Sequence, residues 1–246
     1  MKKLLLALIV IVSFQLSAQK KINFKSSDGL KITADKYFSN PETAPLIILF
    51  HQAGWSRGEY LEVAPKLNQL GYNCIAIDQR SGGEINGVVN ETHKRAKEQK
   101  LATKYTDAEK DMISAINYVQ ITYTKPSQLI IWGSSYSAAL ALKIAGDGSV
   151  EVDAVLSFAP GEYFESMGES PNFIRESAAN ITIPTFITSA KAEKQNWWEI
   201  YESIPAIGKD YYLPKVDGQH GSRALWEKFP DHKGYWLAVE EFLKSI

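Results

Sequence analysis

The chain has 246 residues, 45% hydrophobic and 22% charged, and 27 Lys and Arg against 28 Asp and Glu leave a formal net charge of −1. This is globular composition with enough length for one good-sized core, and the near-neutral balance offers no large basic surface to nucleic acid or an anionic membrane. The single cysteine, Cys74, excludes an internal disulfide and reads as a small buried hydrophobe within the apolar run from Tyr72 to Ile77.

Met1-Lys2-Lys3 is a short basic start, Leu4 to Val12 is unbroken and apolar, and Leu16-Ser17-Ala18 offers a small residue for cleavage. This is the layout of a secretory signal, and its apolar part is well short of the ~20 residues that a spanning helix needs. The expectation is a signal peptide over residues 1–18 and a single domain over 19–246, with no stable membrane insertion after cleavage. The mature protein is then exported, either periplasmic or secreted. No internal repeat, low-complexity tract or linker divides it.

Lys21–Lys25 and Leu30–Phe38 mostly alternate around Ser27-Asp28-Gly29 and read as a β-hairpin. Leu46–Phe50 is a continuous apolar strand of the kind buried on both faces of a parallel sheet. A helix is expected from Tyr60 to Leu70, stopped at Gly71, and then a buried strand over Tyr72–Ile77. Glu84 to Tyr105 is polar and aperiodic, with a basic cluster at His93, Lys94, Arg95 and Lys97, and reads as a surface excursion bordering a site. Arg95 is a candidate for meeting an anionic group there. Asp107 is expected to cap a helix through Tyr123. Leu129–Gly133 is a strand passing directly into an Ala- and Leu-rich helix. Strands follow over Ala154–Phe158, Pro184–Thr188 and Tyr211–Val216, with helices over Trp197–Ile204 and Gly234–Ile246. Strands alternating with helices after an initial hairpin specify an α/β fold, a mainly parallel sheet with helices on both faces. Ligand chemistry in such a sheet belongs at the carboxyl ends of the strands.

At one such end lies Gly133-Ser134-Ser135-Tyr136-Ser137, close to the Gly-x-Ser-x-Gly pattern of a nucleophile elbow, with Ser137 in place of the last glycine. Ser134 and Ser137 are the neighbours that compete with Ser135, but the strand gives out at Ser135. A serine hydroxyl needs a base to take its proton. Of His51, His93, His220 and His232, only His220 follows the last strand in a glycine-flanked loop, Gly218-Gln219-His220-Gly221. The acid that orients it is expected between Ser135 and His220, after the strand before the His strand. Glu193 is the first carboxylate there, with Glu162 as its rival. The oxyanion donors are expected from the N–H of Tyr136 and from the loop His51–Gly58. His51 would brace that loop, and Trp55 and Tyr136 would wall the acyl pocket.

These motifs make the chain resemble an α/β-hydrolase over nearly all of its mature length. His51-Gln52-Ala53-Gly54 is similar to the His-Gly-x-Gly oxyanion loop of that superfamily's esterases and lipases, with Gln52 where Gly is usual. The resemblance implies that Ala53 supplies the second N–H, with Gln52 as the next choice. Asp78-Gln79-Arg80-Ser81-Gly82 resembles the structural Asp-x-Arg-Gly turn after the next strand. The nearest likeness is to the small, lidless dienelactone-hydrolase-like and carboxylesterase group, though dienelactone hydrolases use Cys as nucleophile. It implies an eight-stranded, mainly parallel sheet with an N-terminal antiparallel hairpin and no large cap. The expected activity is that of a serine hydrolase cleaving small or medium carboxylic esters through an acyl-enzyme, with no cofactor and no metal. A serine peptidase or aminopeptidase of the same fold is the alternative, with Glu162 or Glu84 holding the substrate amine. A second is a binding protein that has lost turnover.

Overall fold

Alternation along each parallel strand is what divides this core in two. In β3 (Leu46–Phe50), Ile48 and Phe50 face one layer of helices and Ile47 and Leu49 the other, all of them fully buried. The structure, a computed structural model, describes residues 19–123 and 125–246; the expected signal segment lies outside the described residues.

In chain order the elements begin with β1 (Lys20–Lys25) and β2 (Lys31–Tyr37), then β3, α1 (Val63–Gln69), β4 (Asn73–Ile77), β5 (Glu84–Ile85), β6 (Val88–Val89) and α2 (Glu91–Glu98). They continue with α3 (Glu109–Thr122), β7 (Leu129–Ser134), α4 (Tyr136–Asp147), β8 (Ala154–Phe158) and α5 (Phe173–Ala178). The chain closes with β9 (Thr185–Thr188), α6 (Lys194–Ser203), β10 (Lys209–Tyr212) and α7 (His232–Ser245). Eight strands form one sheet in the order β1-β2-β4-β3-β7-β8-β9-β10. β2 runs antiparallel to both neighbours, and every pair from β4 to β10 is parallel. Helices α2 to α6 bury their apolar sides on one face, and α1 and α7 on the other. The α/β architecture read from the sequence is therefore the observed one, with no large cap among the described residues.

The register fixes where chemistry can occur. Phe50 pairs with Gly133, Ser134 with Phe158, Phe158 with Thr188 and Thr188 with Tyr212. The carboxyl ends of five parallel strands thus finish level with one another, and the loops leaving them share one edge of the sheet. A cavity of about 530 Å³ lined by Lys125, Leu129 and Asp153 lies at the opposite, amino ends of β7 and β8.

Several boundaries differ from expectation. The helix expected over Tyr60–Leu70 is split into a 3-10 turn, Arg57–Tyr60, and α1, because Pro65 has no N–H with which to carry the α-helical ladder back to Leu61. The excursion from Glu84 contains a hairpin and a helix. Asn90 caps α2 by accepting from His93 N at 2.7 Å, and Thr92 and Ala96 are buried on its inner side. Asp107 does not cap α3; its carboxylate accepts from Lys104 N at 2.8 Å one turn earlier. The last strand is β10, two residues ahead of the expected start, and it stops at Tyr212 before Pro214.

Two buried arginines tie the hairpin to this frame. Arg57 donates to Asp35 on β2 at 2.8 Å and to Asp78 after β4 at 2.7 Å. Arg80 grips Asp111 on α3 and Asp28 in the β1–β2 turn, each at 2.7 Å. Its hydrogen bond holds the Asp28 carboxyl down at about 2. The side chains of Arg80 and Asp111 are 1% and 0% exposed, so removing the guanidinium strands a buried carboxylate. Arg80→Met is expected to cost about 3–5 kcal/mol, read as a lower urea midpoint with unchanged slope. Because the folded carboxyl of Asp28 lies below its unfolded value of about 4, the stability it contributes is present above that value and is lost as pH falls toward about 2. Asp28→Asn should flatten the acid-unfolding curve in that window; a curve parallel to wild type would exclude the effect.

Candidate active site

Ser135 sits at the turn between β7 and α4 with φ 59° and ψ −121°, a conformation that costs a non-glycine residue about 1–3 kcal/mol. The surroundings enforce it. Ser135 N donates to Phe158 O at 2.7 Å, and its own carbonyl accepts from Ala138 N at 2.9 Å. Gly133 allows the strand and helix to touch, since a Cβ there would lie 2.3 Å from Ser137 O. The Ser137 hydroxyl accepts from Ser134 N at 2.9 Å and donates to Phe50 O at 2.8 Å. The serine that replaces the motif's last glycine is thus fully buried and bonded into the turn. Ser134 points below the sheet edge, where its hydroxyl donates to Glu59 Oε1 at 2.7 Å. Of the three serines, only Ser135 faces a histidine.

His220 Nε2 lies 2.8 Å from Ser135 Oγ, and its Nδ1 lies 2.6 Å from Glu193 Oε1. With the proton on Nδ1 donated to the carboxylate, Nε2 presents a lone pair to the serine hydroxyl. The other Glu193 oxygen accepts from Ala190 N at 3.1 Å, which fixes the carboxylate plane. The two loops are fastened to each other: Lys191 N donates to Asp217 O at 2.8 Å, and Tyr235 OH, accepting from Gln219 N at 3.3 Å, donates to Ser189 O at 3.0 Å. Glu162 is not part of this chain. Its two oxygens accept from Ile174 N and Arg175 N in the first turn of α5, at 2.9 and 2.8 Å.

The loop after β3 is held from beneath. His51 is fully buried, and burial pushes its imidazole down to about 4, so the ring is neutral. Its Nδ1–H donates to Gln52 O at 2.8 Å, while Nε2 accepts from Gln79 N and Asn90 Nδ2, both at 3.1 Å. The Gln52 N–H donates to Glu59 Oε2 at 2.8 Å and is turned away from Ser135. That corrects the expectation of Gln52 as the next-choice oxyanion donor. Among the described residues, the N–H groups of Ala53 and Tyr136 have no protein acceptor.

Trp55 keeps a partly exposed ring, stacked on Trp226 with centroids 5.4 Å apart. Tyr136 is not a wall of an open pocket, because it is 1% exposed, stacked on Tyr105, and donates to Ser81 O at 3.1 Å. It props the Asp78–Gly82 turn instead. Arg95 is also accounted for: its guanidinium donates to Lys31 O and Thr33 Oγ1 on β2 and to Glu91 one turn earlier on α2. Two residues escaped the sequence reading. Glu59 looks like a solvated charge in Arg57-Gly58-Glu59 yet is fully buried. Arg223, three residues after His220, lies 6.0 Å from the Trp55 ring centroid, and its Nε is buried with no partner among the described residues. Proximity to His220 in sequence was the one available signal for it. No cluster of His, Cys, Asp and Glu able to hold a metal occurs among the described residues.

A family model described as serine aminopeptidase, S33, matches residues 41–165, a stretch that includes the His51 loop and Ser135. A curated relative, a thiohydrolase of Arthrinium phaeospermum, is 27% identical over 178 residues, 68% of this chain and 54% of its own, so the chain spans about half that relative's length. Among solved structures, an esterase of Pyrococcus furiosus superposes with a TM-score of 0.70 at 19% identity, covering 92% of each chain. A dienelactone hydrolase of Anabaena variabilis gives 0.70 at 14% identity over 92% of this chain and 97% of its own. At such identities the likeness is one of fold.

Gly218 has φ +74°, and a Cβ there would lie 2.2 Å from Tyr235 OH. Gly218→Ala must therefore displace the His220 loop from the Glu193 loop. The expected result is a fall on the order of 10²-fold in the rate at which a fluorophosphonate labels Ser135, with the fold retained by circular dichroism. An unchanged labelling rate would show that the loop tolerates the shift.

Proposed function

The chain belongs to the serine aminopeptidase S33 family of α/β-hydrolases, and from that membership and the geometry at Ser135 we propose a serine hydrolase that cleaves carboxylic esters of small or medium size. The observation that carries this reading is the continuous hydrogen-bonded chain from Ser135 through His220 to Glu193, beginning at a serine in strained backbone.

In this mechanism His220 Nε2 takes the Ser135 proton as Oγ attacks the substrate carbonyl. Glu193 keeps the ring oriented and stabilises the imidazolium that forms. The carbonyl oxygen becomes an oxyanion and is met by the N–H groups of Tyr136 and Ala53, the first of them at the amino end of α4, where the helix dipole also favours negative charge. The tetrahedral intermediate collapses as His220 delivers its proton to the leaving alcohol, and water repeats the sequence to release the acid. Trp55 borders the substrate beside this loop. A thioester is attacked by the same steps with a thiol leaving, and the relative named a thiohydrolase makes it a substrate class to include in assays. In the aminopeptidase reading the Glu162 carboxylate is engaged at the start of α5 and is not presented to a substrate amine, which leaves Glu84, exposed on β5, as its candidate. We further propose that residues 1–18 direct export and are removed.

A fluorophosphonate probe followed by peptide mapping tests the assignment. Ser135 is expected to carry the adduct, and His220→Ala to abolish it. Ser135→Ala should lower ester turnover by at least about 10³-fold without loss of folding, because the nucleophile is removed while the oxyanion donors remain. A label on Ser137, or turnover surviving in Ser135→Ala, would refute the mechanism. Hydrolysis of aminoacyl amides but not of p-nitrophenyl esters would move the substrate class to peptides. N-terminal sequencing of exported protein should begin at Gln19.

A further inference from the structure

A carboxylate buried without an ion-pair partner is costly, so its retention needs a reason. Glu59 is 0% exposed, and no cation pairs with it at salt-bridge distance among the described residues. What a carboxylate offers, and an apolar residue of similar size does not, is two acceptor oxygens. Oε2 receives the Gln52 N–H at 2.8 Å, and Oε1 receives the Ser134 hydroxyl at 2.7 Å. The same Ser134 oxygen accepts from Ser222 N at 2.9 Å, two residues beyond His220. The Glu59 backbone carbonyl accepts in addition from Trp226 Nε1 at 2.9 Å. One residue thus joins the loop after β3, the end of β7 and the segment that follows the His220 loop.

We propose that Glu59 is a positioning residue for hydrolysis at Ser135, holding the oxyanion loop, the nucleophile strand and the His220 loop in mutual register. The inference rests on the serine-hydrolase reading given above. By drawing the Gln52 N–H inward, Glu59 fixes the His51–Gln52 peptide plane, and the next plane, whose Gln52 carbonyl accepts from His51 Nδ1, leaves the Ala53 N–H to point at the reacting carbonyl. It touches neither substrate nor nucleophile and acts only through that geometry.

Its protonation state matters to this tie. The Gln52 N–H and the Ser134 hydroxyl each occupy one carboxylate oxygen, and Ser134 Oγ already accepts from Ser222 N, so a proton on either Glu59 oxygen sets an O–H against one of these two donors. Burial pushes the Glu59 carboxyl up to about 7, opposed by the bonds from Ser134 and Gln52 and by the charge of Arg223. The other titratable groups facing it are Tyr60 on its own turn and Tyr136 on α4, and burial holds both hydroxyls neutral, well above their usual range. His51, at the start of the same loop, is neutral as well. Protonation of Glu59 on the acid side therefore loosens the three-way junction.

The test is the pH dependence of p-nitrophenyl ester hydrolysis by the full mature protein, compared with Glu59→Gln and Ser134→Ala. Glu59→Gln is expected to lower kcat by about tenfold or more with KM within about twofold, because oxyanion donors serve the transition state more than the ground state. In wild type the acid limb of kcat/KM should fit two protonations, and in Glu59→Gln one. Ser134→Ala removes a bond that favours the ionised carboxylate, so its acid limb should move to higher pH. A merely structural role would lower stability without changing the shape of the limb. Wild-type kcat and limb in Glu59→Gln would overturn the proposal, and should that variant not fold, an unmoved limb in Ser134→Ala would do the same. A wild-type protein that turns over no ester and takes no label at Ser135 would overturn the serine-hydrolase reading and this inference together. A labelled, active wild type with an indifferent Glu59 would overturn this inference alone.

Discussion

The backbone of Ser135 cannot hold its conformation by itself, and much of the molecule is arranged to supply that restraint. A serine at φ 59° returns to ordinary geometry unless both flanking elements are fixed. β7 is fixed by parallel pairing to β3 and β8, and α4 by burial on nearly all sides against the sheet and α5. The turn between them is then closed by the Ser135 N–H on β8 and by the Ser137 hydroxyl on β3. The position of Ser135 is therefore a property of the central sheet, and neighbouring loops add to it without creating it. Ser137 illustrates the point, since its side chain makes bonds that a glycine could not.

Beneath the sheet edge lies a layer of buried polar groups that links the loops above. On one side His51, Gln79 and Asn90 connect the loops after β3 and β4. On the other, Glu59, Ser134 and Ser222 connect the turn after β3 to β7 and to the segment after His220, and Trp132 Nε1 donates to Ser222 Oγ at 2.8 Å. Buried polar groups of this kind favour one arrangement strongly, because each alternative leaves donors or acceptors unmatched in a low-dielectric interior. The loops that carry Ala53 and His220 are thereby tied to the sheet edge, and the Glu193 loop is tied to the His220 loop by Lys191 N and Tyr235 OH.

The sequence conveyed the frame well, for a local reason. Apolar runs such as Leu46–Phe50 and Leu129–Gly133 are too short for buried helices and too apolar for exposed strands, so their place in a parallel sheet is nearly forced. Ser135, Glu193 and His220 could be singled out because each lies in the connection that leaves the carboxyl end of a strand, and strand ends gather at one edge whatever the detailed packing. The helix α2 was hidden because His93, Lys94, Arg95 and Lys97 mask its short inner side of Thr92 and Ala96, and that side acquires meaning only against β2. The displaced start of β10 reflects pairing with β9, which apolar content alone does not specify.

What the sequence determined by itself was the order of strands and helices along the chain and the tight turn at Ser135, each of which depends on residues adjacent in the chain. What only the tertiary structure decided was which of several similar groups does what. Glu59 becomes a buried hub because Ser134, 75 residues away, and Gln52 converge on it. Glu162 is taken up by α5, and the Gln52 N–H is drawn inward, leaving that of Ala53. The direction of an N–H and the desolvation of a carboxylate are set by distant neighbours, and no local pattern encodes them.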